Sequence, residues 1–449
     1  MRRWNSSGAW EAEGDSVANL SRMRRYTQLL GENRSFRNLW IGQSINFLGD
    51  SFYDIALIWY VYTVTHSAVQ SGLVLVFTFL PSVIVGIWFG ALVDKTDRKL
   101  WLVMTSVVQA CAAAAFALII LTGRFRIWEV YVITFCLATG EVAFGPAWNS
   151  SMPDVVPADQ LVSANAMMAF SRRLFQMLGS ALGGAVIAVI GTSAAVCVDA
   201  ASFLTAAWFF GRTAIPVHAR PTVAELERNE DQSVATPSLR ADIVGGARWL
   251  LSQSNLVVIL IVSTFSNMSL GPTNVLPAMY LQTTLHAGAE AFGLFDAAIG
   301  LGMMVSVVWI GSRDVRRAGL WLAYGLSAEA LAMAIVAAAP NIWVADIGNF
   351  VLGVAVMTAG IPLTTMFQAL VPQHMRGRVG GITNAVTNVS IPLTYALVGV
   401  LGDSIGARWT YGIGACCLVL CGIVAFAAPA VRNTGLPGLA SASQVSKEY

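Results

Sequence analysis

The stretch GALVDKTDRK, residues 90–99, closes the second of twelve long apolar segments in this chain. Five of its last six residues are charged, and the next apolar segment begins directly after it. A short charged connection between two apolar helices lies in water at a membrane surface, because its charges would be costly to bury in hydrocarbon. The stretch therefore predicts two membrane-crossing helices joined by a tight turn.

The composition favours a membrane protein throughout. Of the 449 residues, 56% are hydrophobic and 12% are charged, whereas soluble domains carry about 25% charged residues. A soluble fold of this size could not bury so much apolar surface, but a lipid bilayer can accept it. Residues 1–37 are polar and Arg-rich and lack the apolar core of a cleavable signal, so we expect the first apolar helix to direct insertion.

Twelve segments have roughly the 20 apolar residues that a membrane-spanning helix needs. They are 38–64, 71–93, 99–121, 127–151, 165–190, 193–214, 252–283, 290–311, 318–339, 342–371, 378–403 and 408–430. This pattern predicts a tail at 1–37, a six-helix bundle at 38–214, a linker at 215–251, a second bundle at 252–430 and a tail at 431–449.

The two predicted bundles repeat each other in sequence. A shift of 215 residues places Ile127 and Trp128 on Ile342 and Trp343, and Pro157 on Pro372. Parallel repeats related by an axis along the membrane normal are known in transporters. The predicted fold is an all-α membrane protein with twelve transmembrane helices in two pseudo-symmetric six-helix bundles.

The placement of basic residues predicts the orientation. Most of the 27 Lys and Arg residues lie in the two tails, the linker and the connections on that same side, while the opposite loops hold Arg124, Arg126 and Arg408. Because cytoplasmic connections carry the excess of Lys and Arg, we expect both termini in the cytoplasm and the chain in the plasma or bacterial inner membrane.

The charged stretch resembles the loop between helices 2 and 3 of the major facilitator superfamily of secondary transporters. The residues that match that pattern are Gly90, Asp94, Lys95, Arg98 and Lys99, whereas Asp97 replaces a second glycine. The resemblance implies that Asp94 and Arg98 form a conformational latch against the opposite bundle. Simple anchoring by the positive-inside rule is the alternative use of these charges.

Three acidic residues within predicted spans are candidates for proton coupling. Asp50 and Asp54 are four residues apart, which places both carboxylates on one face of the first helix. Glu141 lies near the middle of the fourth span, five residues before Pro146. Intramembrane acids are costly and usually face a cavity or a partner, so each could take up a proton or form a structural contact.

The fifth predicted span contains two basic residues and a glycine motif. Arg172 and Arg173 are the candidate charge partners of the three acids. The motif at Gly179, Gly183 and Gly184 resembles the antiporter motif of the same superfamily, with Ser180 where proline is usual. Close helix packing is the alternative use of the glycines. Further acids within spans are Asp199, Asp296, Glu329 and Asp346. For Asp199 we expect a structural hydrogen bond near the outer end of its helix.

Other chemistries have no support in the residues. The sequence has no phosphate-binding loop, no paired metal ligands and no hydrolase motif, and the six cysteines lie in apolar segments. We therefore expect no enzyme activity, no cofactor, no metal and no nucleic-acid partner. The expected partners of a monomeric chain are protons, a small-molecule substrate and the lipid bilayer.

The resemblance extends over residues 36–430 and is strongest to the bacterial exporters of drugs and siderophores, such as macrolide and enterobactin exporters. It implies proton-coupled efflux of a small amphipathic compound by alternating access. Proton symport and lipid movement between leaflets are alternatives within transport. A membrane sensor or scaffold on the same fold is the alternative without transport.

Overall fold

The computed structural model describes residues 29–93, 96–216, 239–311, 313 and 317–432, and this part of the chain is almost entirely helical. Its N-terminal half contains a helical turn at 29–32 followed by seven longer helices. They are α1 (Arg34–Thr65), α2 (Ala68–Ile84), α3 (Gly86–Val93), α4 (Arg98–Thr122), α5 (Ile127–Val155), α6 (Leu161–Val189) and α7 (Thr192–Gly211).

The C-terminal half follows the same order with more interruptions. Its α-helices are α8 (Leu239–Ser252), α9 (Ser254–Ser269), α10 (Gly271–Val275), α11 (Pro277–Met279), α12 (Ala289–Gly311), α13 (Ala318–Ala338), α14 (Ile342–Leu370), α15 (Arg376–Ile405), α16 (Ala407–Ala427) and α17 (Pro429–Arg432). A π-helical turn at Tyr280–Thr284 continues α11, and a 3₁₀ turn at Gln373–Met375 precedes α15.

Each predicted span coincides with a helix or a run of consecutive helices. Nine helical segments in the described residues, one of them α9 continued by α10, are long and apolar enough to cross a membrane. The remaining three spans differ for physical reasons: α1 and α6 carry the charged and polar residues of the candidate site, and the second span is divided between α2 and α3 near Val85. Pro81 lies in the last turn of α2, just before this division.

The last residues of the predicted linker at 215–251 form α8. Leu250 of α8 is buried in a cluster with Met375 and Val379 at the start of α15. A helix that can cover apolar surface in this way is stabilised by packing. The helix α1 begins at Arg34 after an Asn33 cap, within the last residues of the stretch 1–37 that is predicted to be the N-terminal tail.

Two helix pairs make most of the contacts between the halves, namely α6 with α12 and α2 with α15. Glycines allow both pairs to approach closely. A Cβ atom on Gly184 would lie 2.6 Å from Ala289 O and 2.7 Å from the Cα of Gly293. A Cβ on Gly72 would lie 2.5 Å from Tyr395 O.

The contact between α2 and α15 exists at one end of the bundle only. We call the end that holds Arg34 and Gly211 the terminal face, and the opposite end the far face. Tyr395 packs edge-on against Phe79 of α2, with ring centroids 5.8 Å apart. The same face of α15 is exposed closer to the terminal face, at Gly377, Gly381, Asn384 and Asn388. A cleft between the halves is therefore open at the terminal face and closed at the far face.

Candidate functional site

Two of the three candidate acids face this cleft. Asp54 is exposed although its neighbours Tyr53 and Ile55 are buried, and Glu141 of α5 is exposed beside the buried Gly140. A single exposed residue on a buried helix face must look into an opening between helices. Asp50 is half-buried, and its Oδ2 accepts a hydrogen bond of 3.3 Å from Asn46 Nδ2.

Arg172 is the basic residue that acts on these acids. It interacts electrostatically with Asp50, Asp54 and Glu141, and its guanidinium lies 5.6 Å from the centroid of the Phe47 ring. Within the described residues, no ion pair shorter than 4.0 Å joins Arg172 to a carboxylate. Arg172 and the three acids therefore form a cluster of charges without direct contact, and not the salt bridge that the sequence allows as an alternative. Arg173 interacts electrostatically with the like charge of Arg172 and not with these three acids.

Glu141 has a neutral partner that the sequence analysis missed. The side chain of Gln109 in α4 interacts with the Glu141 carboxylate, and its Nε2 donates a hydrogen bond of 3.3 Å to Leu137 O. The Gln109 side chain also fills the space beside Gly140, since a Cβ there would lie 2.6 Å from Gln109 Cγ. An apolar helix with one glutamine is a signal that could have suggested this contact.

Two further acids that the sequence analysis left outside the site belong to the same region. Asp199 of α7 is 1% exposed, and its Oδ1 has no hydrogen-bond partner within the described residues. It lies beside Gly49 of α1 and interacts electrostatically with Asp50. Asp296 of α12 lies in the other half, with its Oδ2 at 2.6 Å from Ser180 Oγ. Sequence separation conceals both contacts.

The glycine motif of α6 lies at two helix contacts. A Cβ on Gly179 would lie 2.8 Å from Leu48 O of α1, and a Cβ on Gly183 would lie 3.3 Å from the Cα of Phe52. Gly184 faces the opposite half at Gly293, as described above. One short motif thus allows α6 to approach both α1 and α12.

The charged loop is described only in part, because Asp94 and Lys95 lie outside the described residues. Gly90 lies within α3, and the Asp97 side chain caps α4 by accepting from Lys99 N at 2.9 Å. Arg98 forms an ion pair with Asp154 and donates to Ser150 O at 3.1 Å, both in α5 of its own half. The latch between Asp94, Arg98 and the opposite half stays a prediction.

The ion pair between Arg98 and Asp154 yields a testable expectation. Reversing either charge alone, as Arg98→Asp or Asp154→Arg, places like charges in contact and should lower transport and the apparent Tm in detergent. The double exchange should recover most of both losses, because it restores the attraction with the charges swapped. A double variant no better than the worse single variant would contradict a direct interaction.

An acid of the C-terminal half caps a helix of the N-terminal half at the far face. Asp403 of α15 accepts hydrogen bonds from Ala68 N at 2.5 Å, Ser67 Oγ at 2.6 Å and Val69 N at 3.1 Å. These donors begin α2, where a carboxylate also interacts favourably with the helix dipole. Gln282 Nε2 adds a bond of 2.9 Å to Thr63 Oγ1 at the same face.

Asp403→Ala should weaken closure of the far face. A lost helix cap costs about 0.5–2 kcal/mol, so the population open at the far face should rise several-fold. Labelling of a single cysteine at Gln70 by an impermeant maleimide, in a background without native cysteines, measures this opening. Asp403→Asn keeps one acceptor oxygen and should show a smaller rise. Equal labelling in all three proteins would contradict the cap as a closure contact.

The C-terminal half contributes a small pocket of mixed polarity at the cleft. It has a volume of about 190 Å³, and its polar lining residues are Asn267, Thr273, Asn274, Thr394 and Tyr395. A larger groove of about 710 Å³ lies between α13 and α16, away from the carboxylates. In the part of the chain that the structure describes, no three His, Cys, Asp or Glu side chains are arranged to hold a metal ion.

Comparison with known proteins agrees with this architecture. The family model described as transmembrane secretion effector matches residues 31–447. YvqJ, an MFS-type transporter of Bacillus subtilis, is 21% identical over 397 residues, covering 87% of this chain and 91% of YvqJ. Macrolide efflux protein A of Streptococcus pyogenes is 20% identical, covering 87% of this chain and 94% of the relative.

A solved structure shares the fold. It is an inward-facing bacterial homologue of the human lysosomal transporter Spinster, with a TM-score of 0.66 and 14% identity, covering 89% of this chain and 97% of that one. The predicted all-α fold, with twelve spans in two six-helix bundles, is confirmed.

Proposed function

We propose that this chain, which belongs to the transmembrane secretion effector family of major facilitator transporters, exports a small amphipathic compound in exchange for protons. The chain is a multi-pass membrane transporter and not an enzyme. One observation carries the proposal: Asp54 and Glu141 are exposed to a cleft that is open at the terminal face and closed at the far face.

The orientation of the cleft gives the direction of export. We take the terminal face as cytoplasmic, because most Lys and Arg residues lie on that side. In the conformation described here, the cleft then admits a substrate from the cytoplasm. Closing the terminal face and opening the far face would release that substrate outside, as alternating access requires.

The carboxylates couple this exchange to protons. The negative charges of Asp54 and Glu141 exceed the single positive charge of Arg172, which interacts with both carboxylates. A cationic group of the substrate or a proton can each balance this negative charge, so the two compete for one site. Protons taken up from outside would displace the substrate there, and the substrate would displace the protons on the cytoplasmic side.

The walls of the cleft suit an amphipathic molecule such as a drug or siderophore. The opposite wall offers neutral hydrogen-bonding groups at Asn267, Asn274 and Tyr395, mixed with the apolar Ile299 and Met303. A compound with one basic group and a partly polar, partly apolar body would satisfy both walls. Macrolides have this chemistry, and a relative of this chain is named for macrolide efflux.

Purified protein in liposomes provides the test. Vesicles with an acidic lumen, preloaded with no substrate, should accumulate ethidium, a permanent cation that an acidic lumen does not trap by protonation, through molecules whose terminal face points outward. Collapse of the pH gradient by nigericin should abolish accumulation. Uptake driven by the opposite gradient would indicate symport, and the absence of flux under either gradient, with transbilayer lipid movement measured in parallel, would contradict the proposal.

A further inference from the structure

Asp296 connects the candidate site to the other half of the protein. Ser180 Oγ of α6 lies 2.6 Å from Asp296 Oδ2 of α12, so this hydrogen bond crosses the interface between the halves. Gly184 and Gly293, one helical turn closer to the far face, let the two backbones come this close. The bond therefore depends on closure of the far face.

Asp54 and Asp296 lie at the same depth on opposite sides of the interface. Trp59 of α1 and Phe292 of α12 are in contact, with ring centroids 6.1 Å apart. The two helices run in opposite directions, so five residues back along α1 and four residues forward along α12 lead to the same level, about 6–7.5 Å closer to the terminal face. Asp54 interacts electrostatically with Asp296 at this level.

The surrounding charges are mainly acidic. Glu141 from α5 also repels Asp54 electrostatically, and the positive charge of Arg172 from α6 partly offsets this repulsion. Asp50, also on α1, acts within the same cluster. On the other side of α12, Asn349 of α14 presents a neutral amide that donates to Phe295 O at 2.5 Å. Closing the far face with every carboxylate ionised therefore brings like charges together.

We propose that Asp54 and Asp296 form a carboxyl pair that shares one proton across the interface, and that this proton stabilises the conformation closed at the far face. Repulsion between two ionised carboxylates opposes closure, and one proton removes it. When the far face opens, α12 moves away from α1 and α6, and the pair separates. Protonation is thereby linked to the choice of open face.

Ser180 is suited to either protonation state of Asp296. Its Oγ also lies 3.1 Å from Gln176 O of the same helix. The hydroxyl can donate to an ionised Asp296, or it can donate to Gln176 O and accept from a protonated Asp296, because a hydroxyl both donates and accepts. Proline at this position, as in the antiporter motif that the segment resembles, could do neither.

The inference rests on the proposed exchange of substrate for protons and extends it to a residue of the second half. The direction of the proton's effect on conformation agrees with that exchange, because a proton taken up from outside favours return to the conformation open at the terminal face. Acidic pH should therefore raise the population open at the terminal face, and alkaline pH should lower it.

The test measures conformation and not transport. Spin labels at Asp159→Cys and Gln373→Cys, on exposed connections of the two halves at the terminal face, report its opening by electron–electron distance measurements in nanodiscs, in a background without native cysteines. In the otherwise unaltered protein, the open-to-closed ratio should fall by about tenfold between pH 5.5 and 8, as expected when two states differ tenfold in proton affinity.

Asp296→Asn should hold the terminal face open and make the ratio nearly independent of pH, because the amide cannot ionise. Ser180→Ala should keep the pH response but lower the open-to-closed ratio at every pH by about fivefold, the size expected for one lost hydrogen bond. Asp346→Asn is the matched control: it replaces another half-buried acid of the C-terminal half and should behave like the unaltered protein.

Three outcomes separate the two proposals. A full pH response in Asp296→Asn, in protein that transports substrate, would overturn the carboxyl pair and leave proton-coupled export intact. Loss of the response in Asp346→Asn as strongly as in Asp296→Asn would also overturn it. A pH response that is lost in Asp296→Asn and kept in Asp346→Asn, in protein without substrate flux, would support the pair and contradict the export function.

Discussion

Asp54→Asn is expected to abolish accumulation of substrate against a gradient. Each proton exchanged for a substrate supports about tenfold accumulation per pH unit, because one unit corresponds to 1.36 kcal/mol. Asparagine keeps the size of the side chain but cannot bind and release the proton. The accumulation ratio in proteoliposomes should therefore fall to one, whatever pH gradient is imposed.

Exchange of substrate without a pH gradient separates lost coupling from lost folding. Asp54→Asn should still insert into the membrane and elute as a single species. Counterflow of labelled for unlabelled substrate should persist at a reduced rate, because it requires no net proton movement. Glu141 still offers a carboxylate to the substrate, but a neutral residue at position 54 favours the conformation open at the terminal face and slows the alternation. Glu141→Gln is the parallel variant, and it should likewise lose accumulation. Normal accumulation in both variants would refute the assignment of these carboxylates.

Gly184→Ala is expected to block the conformation closed at the far face. The added Cβ would lie 2.6 Å from Ala289 O and 2.7 Å from the Cα of Gly293. Both are backbone atoms that cannot rotate away, so α6 and α12 must separate. Overpacking of this kind costs about 1–3 kcal/mol, which is enough to shift a balanced two-state equilibrium by roughly 5- to 160-fold.

Transport by Gly184→Ala should fall by a similar factor, and the distance between terminal-face labels should shift to the closed form. Gly145→Ala is the matched control, since its helix also gains a methyl group but no atom outside that helix's own backbone lies within 4 Å of the new Cβ. The control should transport normally. Equal loss in both variants would indicate a general effect of replacing glycine and not a steric block at the interface.

Hydropathy located the twelve spans because the requirement behind it is local. Any segment that crosses the bilayer needs apolar side chains along its length, so the span predicted at 127–151 coincides with the helix Ile127–Val155. The same reasoning placed Asp50, Asp54 and Glu141 within spans. It missed the division near Val85 and the π-helical turn at Tyr280–Thr284, because these depend on backbone geometry and not on polarity.

Tertiary structure alone decided which acids meet and which end of the protein is open. Ser180 and Asp296 are 116 residues apart, and neither carries a local signal that names its partner. Asp403 likewise caps a helix more than 300 residues earlier in the chain. Hydrophobic length determines that a helix lies in the membrane, whereas neighbouring helices determine its rotation and partners. Which face is open depends on packing between two halves that can meet at either end.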